Sequence, residues 1–190
     1  MPIKDDPLKK GREMETPVCP ACTPFEAQAT AIARTRFFHA FLDSRDQKTP
    51  GRLFIVSHEH IPSLTEWPEA YWIEFGKFER SLERALKEAF DPKEPRKLIN
   101  LECKMNLARA EGTHTHWHML PRYRNAITLT DPETGEVLIF QDSFFGKPYD
   151  FDSRNYRKVS SALMDAIIKK MQEKLDLSGI EGAQFRRVSR

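Results

Sequence analysis

Three histidines alternate with other residues over five positions of this chain, as His114, His116 and His118. Side chains two residues apart on a β-strand point to the same face, so the segment predicts a strand with three imidazole rings in a row. The residues between them would point the opposite way, into packing. Neighbouring imidazoles repel each other and lose hydration when they are charged. Such a row therefore indicates a metal site or a catalytic site rather than ordinary packing.

The hydrophobic pattern around this row predicts an α+β domain with two helices. Strands are expected in 29–42, as two pieces broken near Thr35, and in 52–57, 97–106, 114–121, Ile127–Thr130 and Val137–Phe140. The longer helix is expected to start with Thr65 as its N-cap, and its apolar face is formed by Trp72, Phe75, Phe78, Leu82, Leu86 and Ala89. The second helix is expected from about Ser153, with one face formed by Tyr156, Val159, Leu163, Ile167, Met171 and Leu175.

Composition divides the chain into three parts. Residues 1–16 are rich in charge and proline and predict a mobile leader, 17–150 form the main domain, and 151–190 form a helical extension with a basic tail from Arg186. Within the domain, the segment 141–149 is interpreted as a link to the last helix rather than a flap over a ligand.

The charge balance limits the classes of partner. The chain has 30 Lys and Arg residues against 28 Asp and Glu residues, a formal net charge of +2, which argues against a protein that holds nucleic acid by bulk charge. No apolar run reaches the ~18–20 residues of a membrane span. No apolar signal segment follows the N-terminal charges. We therefore expect a soluble cytoplasmic protein with no nucleic-acid or membrane partner.

The three cysteines are too few for a disulfide framework. Cys19 and Cys22 form a Cys-Pro-Ala-Cys pair, which in an intracellular chain indicates half of a metal site or a redox motif. Pro24 argues against the helix that a redox motif would need after the pair. Cys103 stands alone and is expected to be a small buried side chain.

Other proteins with alternating histidines differ at the neighbouring positions. A metallo-β-lactamase-like site needs an Asp where Trp117 stands, and a cupin-like site needs a Glu where Leu120 and Pro121 stand. A TIM-barrel amidohydrolase needs far more than 190 residues. These departures weaken the hypothesis of a metal centre built from the whole row.

The segment from His114 to Tyr123, His-Thr-His-Trp-His-Met-Leu-Pro-Arg-Tyr, resembles the histidine-triad (HIT) superfamily, in its bacterial zinc-containing or fragile-histidine-triad-like branches. Phe41-Leu-Asp43, the Pro-Gly strand from Pro50 to Val56 and His60-Ile-Pro-Ser-Leu are similar to the layout of the same superfamily. The resemblance implies a HIT-like fold, in which a long helix packs on an antiparallel sheet of about five strands, here with an added C-terminal helix. It also implies a homodimer whose sheets join edge to edge.

The resemblance implies a nucleotide hydrolase or nucleotidyl transferase that attacks the α-phosphorus of a dinucleoside polyphosphate or nucleotide conjugate and releases a nucleoside monophosphate. His116 would be the nucleophile that forms a nucleotidyl-histidine, His118 the acid for the leaving group, and His114 the residue that orients His116. Asp43 would accept hydrogen bonds from ribose hydroxyls, and Asn106 would contact the α-phosphate. The alternatives are a dinucleoside polyphosphate phosphorylase and a non-catalytic nucleotide-binding adaptor.

Part of the superfamily, and the related galactose-1-phosphate uridylyltransferases, hold a structural zinc ion with a Cys-x-x-Cys pair, a later His and the first His of the triad. The matching residues here are Cys19, Cys22, His60 and His114. Two Cys and two His make a closed tetrahedral shell. His58 is the rival of His60, and His39 is expected to be structural. Magnesium is expected only as the companion of a polyphosphate substrate.

Overall fold

The computed structural model describes residues 19–90, 93, 98–104, 113–147 and 156–186. Its strands are β1 (Ala31–Arg34), β2 (Phe38–Leu42), β3 (Leu53–Ser57), β4 (Leu98–Lys104), β5 (His116–Arg122), β6 (Ile127–Thr130), β7 (Val137–Phe140) and β8 (Gln184–Phe185). Its α-helices are α1 (Glu69–Ala89) and α2 (Ser161–Gln172). The predicted leader, 1–16, lies outside the described residues.

One antiparallel sheet carries six of these strands in the order β4-β5-β3-β2-β1-β8, and β6 pairs with β7 in a separate hairpin. The prediction of an α+β fold with an antiparallel sheet of about five strands is confirmed. The sixth strand, β8, has only two residues and comes from the C-terminal segment, where no strand was expected. Among the helices of the described ranges, none is long and apolar enough to cross a membrane.

The two faces of the sheet differ in chemistry because side chains alternate along each strand. Leu53, Ile55 and Met119 are fully buried on the face that packs against α1 and α2. The opposite face carries His116 and His118 on β5, next to Phe54 on β3. We call this second face the histidine face. The expected alternation of histidines with core residues on β5 is thus present in the structure.

Helix α1 starts later than the sequence predicts. Thr65 lies in a 3-10 turn, Leu64–Glu66, that is capped by the side chain of Ser63. Trp67 is extended because it precedes Pro68, a position that disfavours helical backbone, so α1 begins at Glu69. The expectation that Trp72 faces the core is also wrong, because Tyr71 is buried there and Trp72 is 41% exposed.

The C-terminal helix is shorter than predicted. Ser160 caps it by accepting a hydrogen bond from Leu163 N (3.0 Å), so Tyr156 and Val159 precede α2, and Leu175 follows it. Arg186, expected in a frayed tail, is held by the sheet because its backbone N donates to Ile32 O (3.1 Å). The rest of that tail, 187–190, lies outside the described residues.

A buried carboxylate joins α1 to the turn between β1 and β2. Glu74 Oε1 accepts hydrogen bonds from Thr35 Oγ1 (2.6 Å) and from Phe37 N (2.8 Å). On the same side, the ring of Phe38 lies 5.2 to 5.7 Å from the rings of Trp67, Tyr71 and Phe75. These contacts fix the helix on the sheet, so the strands that carry the histidines have a rigid support.

Candidate metal and catalytic site

Two cysteines and two histidines meet at one end of the histidine face. The ligand atoms of Cys19, Cys22, His60 and His114 all lie within 4.8 Å of one another. Cys22 Sγ is 3.4 Å from Nδ1 of both His60 and His114, and Cys19 Sγ is 3.6 Å from His114 Nδ1. Around a tetrahedral zinc ion, sulfur and nitrogen ligands would be about 3.5 Å apart. The cluster is therefore compatible with zinc.

Short-range contacts bring these four residues together from distant parts of the sequence. Cys22 N donates to Cys19 O (2.9 Å), which folds the Cys-x-x-Cys pair into a turn. The backbone N of Thr115 (2.9 Å) and its Oγ1 (2.6 Å) both donate to Ile61 O. The segment that follows β3 is thus tied to the segment that precedes β5, and each carries one of the histidine ligands.

The side chain of Ser57 decides which nitrogen His114 offers to the cluster. Ser57 Oγ donates its only hydrogen to Glu59 O (2.7 Å), so it must accept at its 3.0 Å contact with His114 Nε2. His114 therefore carries its hydrogen on Nε2 and turns the lone pair of Nδ1 toward the thiols. Sequence reasoning missed Ser57, although its place at the end of a strand that faces the histidines was a usable signal.

His58 lies outside the cluster, so the structure brings His60 rather than His58 to the cysteines. His58 Nε2 is 3.1 Å from Thr35 O, and its Nδ1 is 3.3 Å from Nδ1 of His39. His39 is buried, and burial, followed by repulsion from His58, lowers its pKa to about 3. His39 is therefore a neutral side chain that packs between the strands and His58.

His116 is held by the backbone of its neighbour in the row. Its Nδ1 lies 2.9 Å from His114 O. A carbonyl oxygen only accepts, so Nδ1 carries the hydrogen and Nε2 carries the lone pair. Burial lowers the pKa of His116, the hydrogen bond to His114 opposes this, and the charge of Lys104 adds to it. The lowered pKa favours the neutral ring, whose Nε2 can act as a nucleophile.

His118 lies between aromatic rings and positive charges. Its ring centroid is 4.6 Å from that of Phe54 and 5.1 Å from that of His116. Burial, then repulsion from His116 and from Arg52, lowers its pKa to about 3. In the ligand-free protein His118 is neutral, and an anion bound beside it would raise its pKa.

Asp43 is not a solvated turn residue, since it is only 1% exposed. Its Oδ1 accepts from Arg45 N (3.0 Å), and its Oδ2 lies 3.4 Å from Arg52 Nε. Arg52 also pairs with the buried Asp46. The connection 44–51, expected only as a polar link with a Pro-Gly turn, therefore contains buried ion pairs that sequence reasoning missed.

The remaining predicted positions have different outcomes. Asn106 lies outside the described residues. The expectation that Cys103 is buried is wrong, because this residue lies half-buried on the outermost strand, β4, although burial still raises the pKa of its thiol.

A buried arginine at the far end of β5 holds part of the segment 141–149. Arg122 donates to Asp142 Oδ2 (2.6 Å), to Lys147 O (3.2 Å) and to Phe144 O. Arg122 is six residues beyond His116 on the strand, a distance of about 20 Å. This anchoring point favours the interpretation of 141–147 as a link rather than a flap over the histidines.

Solved structures similar to this chain are HIT proteins. A histidine triad protein from Marinobacter aquaeolei VT8 is 14% identical, with 77% of this chain and 90% of that chain covered and a TM-score of 0.53. A Hit-like protein from Bartonella henselae is 16% identical, with 77% and 86% covered and a TM-score of 0.49. A Zn-bound histidine triad family protein from Mycobacterium smegmatis is 17% identical, with 82% and 96% covered and a TM-score of 0.47.

No model of a known protein family and no curated protein matches the sequence. The likeness to the Marinobacter aquaeolei protein shows that this chain has the histidine-triad fold. The fold expected from the residues around His116 is thereby confirmed, while the roles of those residues belong to the proposal below.

Proposed function

We propose that this chain is a nucleotidyl hydrolase or transferase of the HIT superfamily, with His116 as its nucleophile. The observation that carries the proposal is the hydrogen bond from His116 Nδ1 to His114 O (2.9 Å), which leaves the lone pair on Nε2. A nucleophilic imidazole needs this tautomer and a neutral ring. The lowered pKa of His116 supports the same role.

In the first step, His116 Nε2 forms a bond to the α-phosphorus, and the bond from phosphorus to the leaving group breaks. The leaving group keeps the electron pair. Water then attacks the phosphorus of the nucleotidyl-histidine, which releases a nucleoside monophosphate and restores His116. His118 takes up a proton when the phosphate lies beside it, and it protonates leaving groups that need a proton.

The Cys and His cluster is proposed to hold one structural zinc ion with a closed shell. Zinc would fix the ring of His114, whose backbone carbonyl orients His116. The metal would thus act on the reaction through the position of a hydrogen-bond acceptor. Magnesium is not part of this proposal.

Asp43 and Asn106 remain the proposed contacts to the ribose and to the α-phosphate. An ionised carboxylate has about four acceptor sites, so Asp43 can keep its contacts to Arg45 and Arg52 and still accept from ribose hydroxyls. We also propose a homodimer joined along β4. This seven-residue strand is half-buried for most of its length and forms the outer edge of the described sheet, where a second copy can pair with it.

Trapping of the covalent intermediate tests the proposal. The protein is mixed with diadenosine tetraphosphate, denatured within milliseconds without acid, and weighed by mass spectrometry, with His116→Asn as the control. A mass increase of one adenylyl group on the wild type alone is expected. A nucleoside diphosphate formed in added phosphate would show a phosphorylase. Nucleotide binding with neither intermediate nor turnover would contradict the proposal and favour the adaptor.

A further inference from the structure

Three cations surround His118 on the histidine face, and we call them the cationic rim: Arg45, Arg52 and Lys104. Lys104 on β4 is the cross-strand partner of His116. Arg52 immediately precedes β3, and its O accepts a hydrogen bond from Asp43 N (3.0 Å). Arg45 lies in the connection that follows β2. All three lie near enough for their charges to lower the pKa of His118.

The three cations differ in how firmly carboxylates of the protein hold them. Arg52 pairs with both Asp43 and Asp46, and its side chain is only 7% exposed. Lys104 Nζ lies 3.2 Å from Glu102 Oε2. Arg45 is 62% exposed, and its Nε is a longer 3.6 Å from Asp43 Oδ1. Arg45 is therefore the member of the rim whose charge is most available to a ligand.

An aromatic residue of the C-terminal segment supports Arg45. Its guanidinium carbon lies 5.7 Å from the ring centroid of Tyr156, within the range of a cation–π contact. The next residue, Arg157, is tied to the same connection, because its N donates to Asp46 Oδ1 (3.1 Å) and its O accepts from Gln47 N (2.7 Å). The C-terminal segment thereby places Tyr156 beside Arg45.

We propose that Arg45 binds a negatively charged leaving group, and that Tyr156 is a positioning residue that holds Arg45 for this task. The inference rests on the function proposed above and adds a specificity determinant to it. The site then prefers substrates in which the α-phosphorus is linked to further phosphates over substrates in which it is linked to a neutral amine.

The chemistry of the two leaving groups explains the preference. When the bond from the α-phosphorus to a bridging oxygen breaks, the oxygen keeps the electron pair, and the departing polyphosphate gains one negative charge. A guanidinium beside it stabilises that charge as it develops. An amine keeps the electron pair on nitrogen, takes a proton from His118 and departs without negative charge. Arg45 therefore matters for the first class of substrate and not for the second.

Two substrates with the same adenylyl group test this: diadenosine tetraphosphate and adenosine 5′-phosphoramidate. For Arg45→Gln we expect kcat/KM to fall roughly 10- to 100-fold with the tetraphosphate, the range for loss of a charged hydrogen bond, and to change less than about threefold with the phosphoramidate. Tyr156→Ala should show a smaller loss, again with the tetraphosphate alone. Tyr156→Phe should restore it, because the ring remains.

Arg36→Gln is the matched control. Arg36 is also an exposed arginine with an acidic partner, Glu181 at 2.9 Å, and an aromatic ring, Phe37, 4.8 Å from its guanidinium carbon. It belongs to the turn between β1 and β2, so its loss should leave both substrates unaffected. Binding of inorganic tripolyphosphate, measured by calorimetry, should weaken about tenfold in Arg45→Gln and not in Arg36→Gln.

Equal losses with both substrates, no loss with either, or unchanged tripolyphosphate binding in Arg45→Gln would overturn the leaving-group proposal. In each of these cases the wild type still forms a nucleotidyl-histidine, so the proposed function stands. A wild type that forms no intermediate with either substrate overturns the proposed function, and the leaving-group proposal with it.

Discussion

His114 and His116 are the same amino acid two residues apart, yet they present opposite ring nitrogens. His114 has its Nε2 against Ser57 Oγ and turns Nδ1 to the two thiols. His116 has its Nδ1 against His114 O and keeps the lone pair on Nε2. One neighbouring acceptor in each case selects the tautomer, and the tautomer separates a metal ligand from a nucleophile.

The surroundings of the two ends of the row differ as well. The end with His114 contains two thiols that become anionic ligands when a metal binds, and it gathers ligands from three separate segments. The end with His118 is bordered by Arg45, Arg52 and Lys104. The first environment suits a cation and the second suits a bound anion, so adjacent parts of one strand serve opposite charges.

Removal of the nucleophile should have the largest effect on this comparison. His116→Ala should lower turnover by roughly four orders of magnitude or more, because the covalent step is lost. Nucleotide affinity should stay within about tenfold, since the transition state loses more than the ground state does. Single-turnover kinetics and equilibrium binding check both statements. Turnover near the wild-type level would refute the nucleophile assignment.

Loss of a thiol should break the other end of the row. Cys22→Ser should reduce the zinc content from about one ion per chain to nearly none and lower the melting temperature, because the binding free energy of a structural metal contributes to folding. Activity should fall and return with refilling by zinc. Elemental analysis and thermal melts measure this. His58→Ala is the control, and equal zinc loss in that variant would contradict the choice of His60.

The orienting hydroxyl should have an intermediate effect. Ser57→Ala removes the partner that holds His114 Nε2 and should weaken zinc affinity roughly 10- to 100-fold, as is typical when a group behind a metal ligand is lost. Competition with a chelator of known affinity measures the change. Ser63→Ala, which removes only the cap of the 3-10 turn, should leave affinity unchanged. Unaltered affinity in Ser57→Ala would show that His114 needs no such partner.

The lowered pKa of His118 should give the smallest effect, in the pH dependence of stability. Its pKa is about 3 in the folded chain and 6.5 as the ordinary value, so the unfolded chain binds an extra proton between these values. Stability is full above pH 6.5 and falls as the pH drops toward 3, by at most about 1.4 kcal/mol per pH unit. His118→Asn should show a shallower slope in urea unfolding from pH 6.5 to 4.5. Parallel slopes would contradict the assignment.

Much of this architecture can be predicted from local patterns. The alternation in β5 predicts which side chains share a face, because the strand period is two wherever the strand lies. The apolar spacing of α1 predicts its long contact with the sheet, and only its start was misjudged, since Pro68 keeps Trp67 out of the helix. The ligand positions at Cys19, Cys22 and His60 came from a family resemblance, and the structure brings all three to His114.

The sequence by itself determined the row of histidines, the apolar faces and the Cys-x-x-Cys pair, because these depend on spacing along a regular backbone. The tertiary structure alone decided that Ser57 selects the nitrogen of His114, that Asp43 is buried beside Arg52, and that Tyr156 reaches Arg45. Those contacts join residues whose separation in the chain carries no periodic signal. They form only because the core packing of α1 and α2 brings the strands and the C-terminal segment to fixed positions.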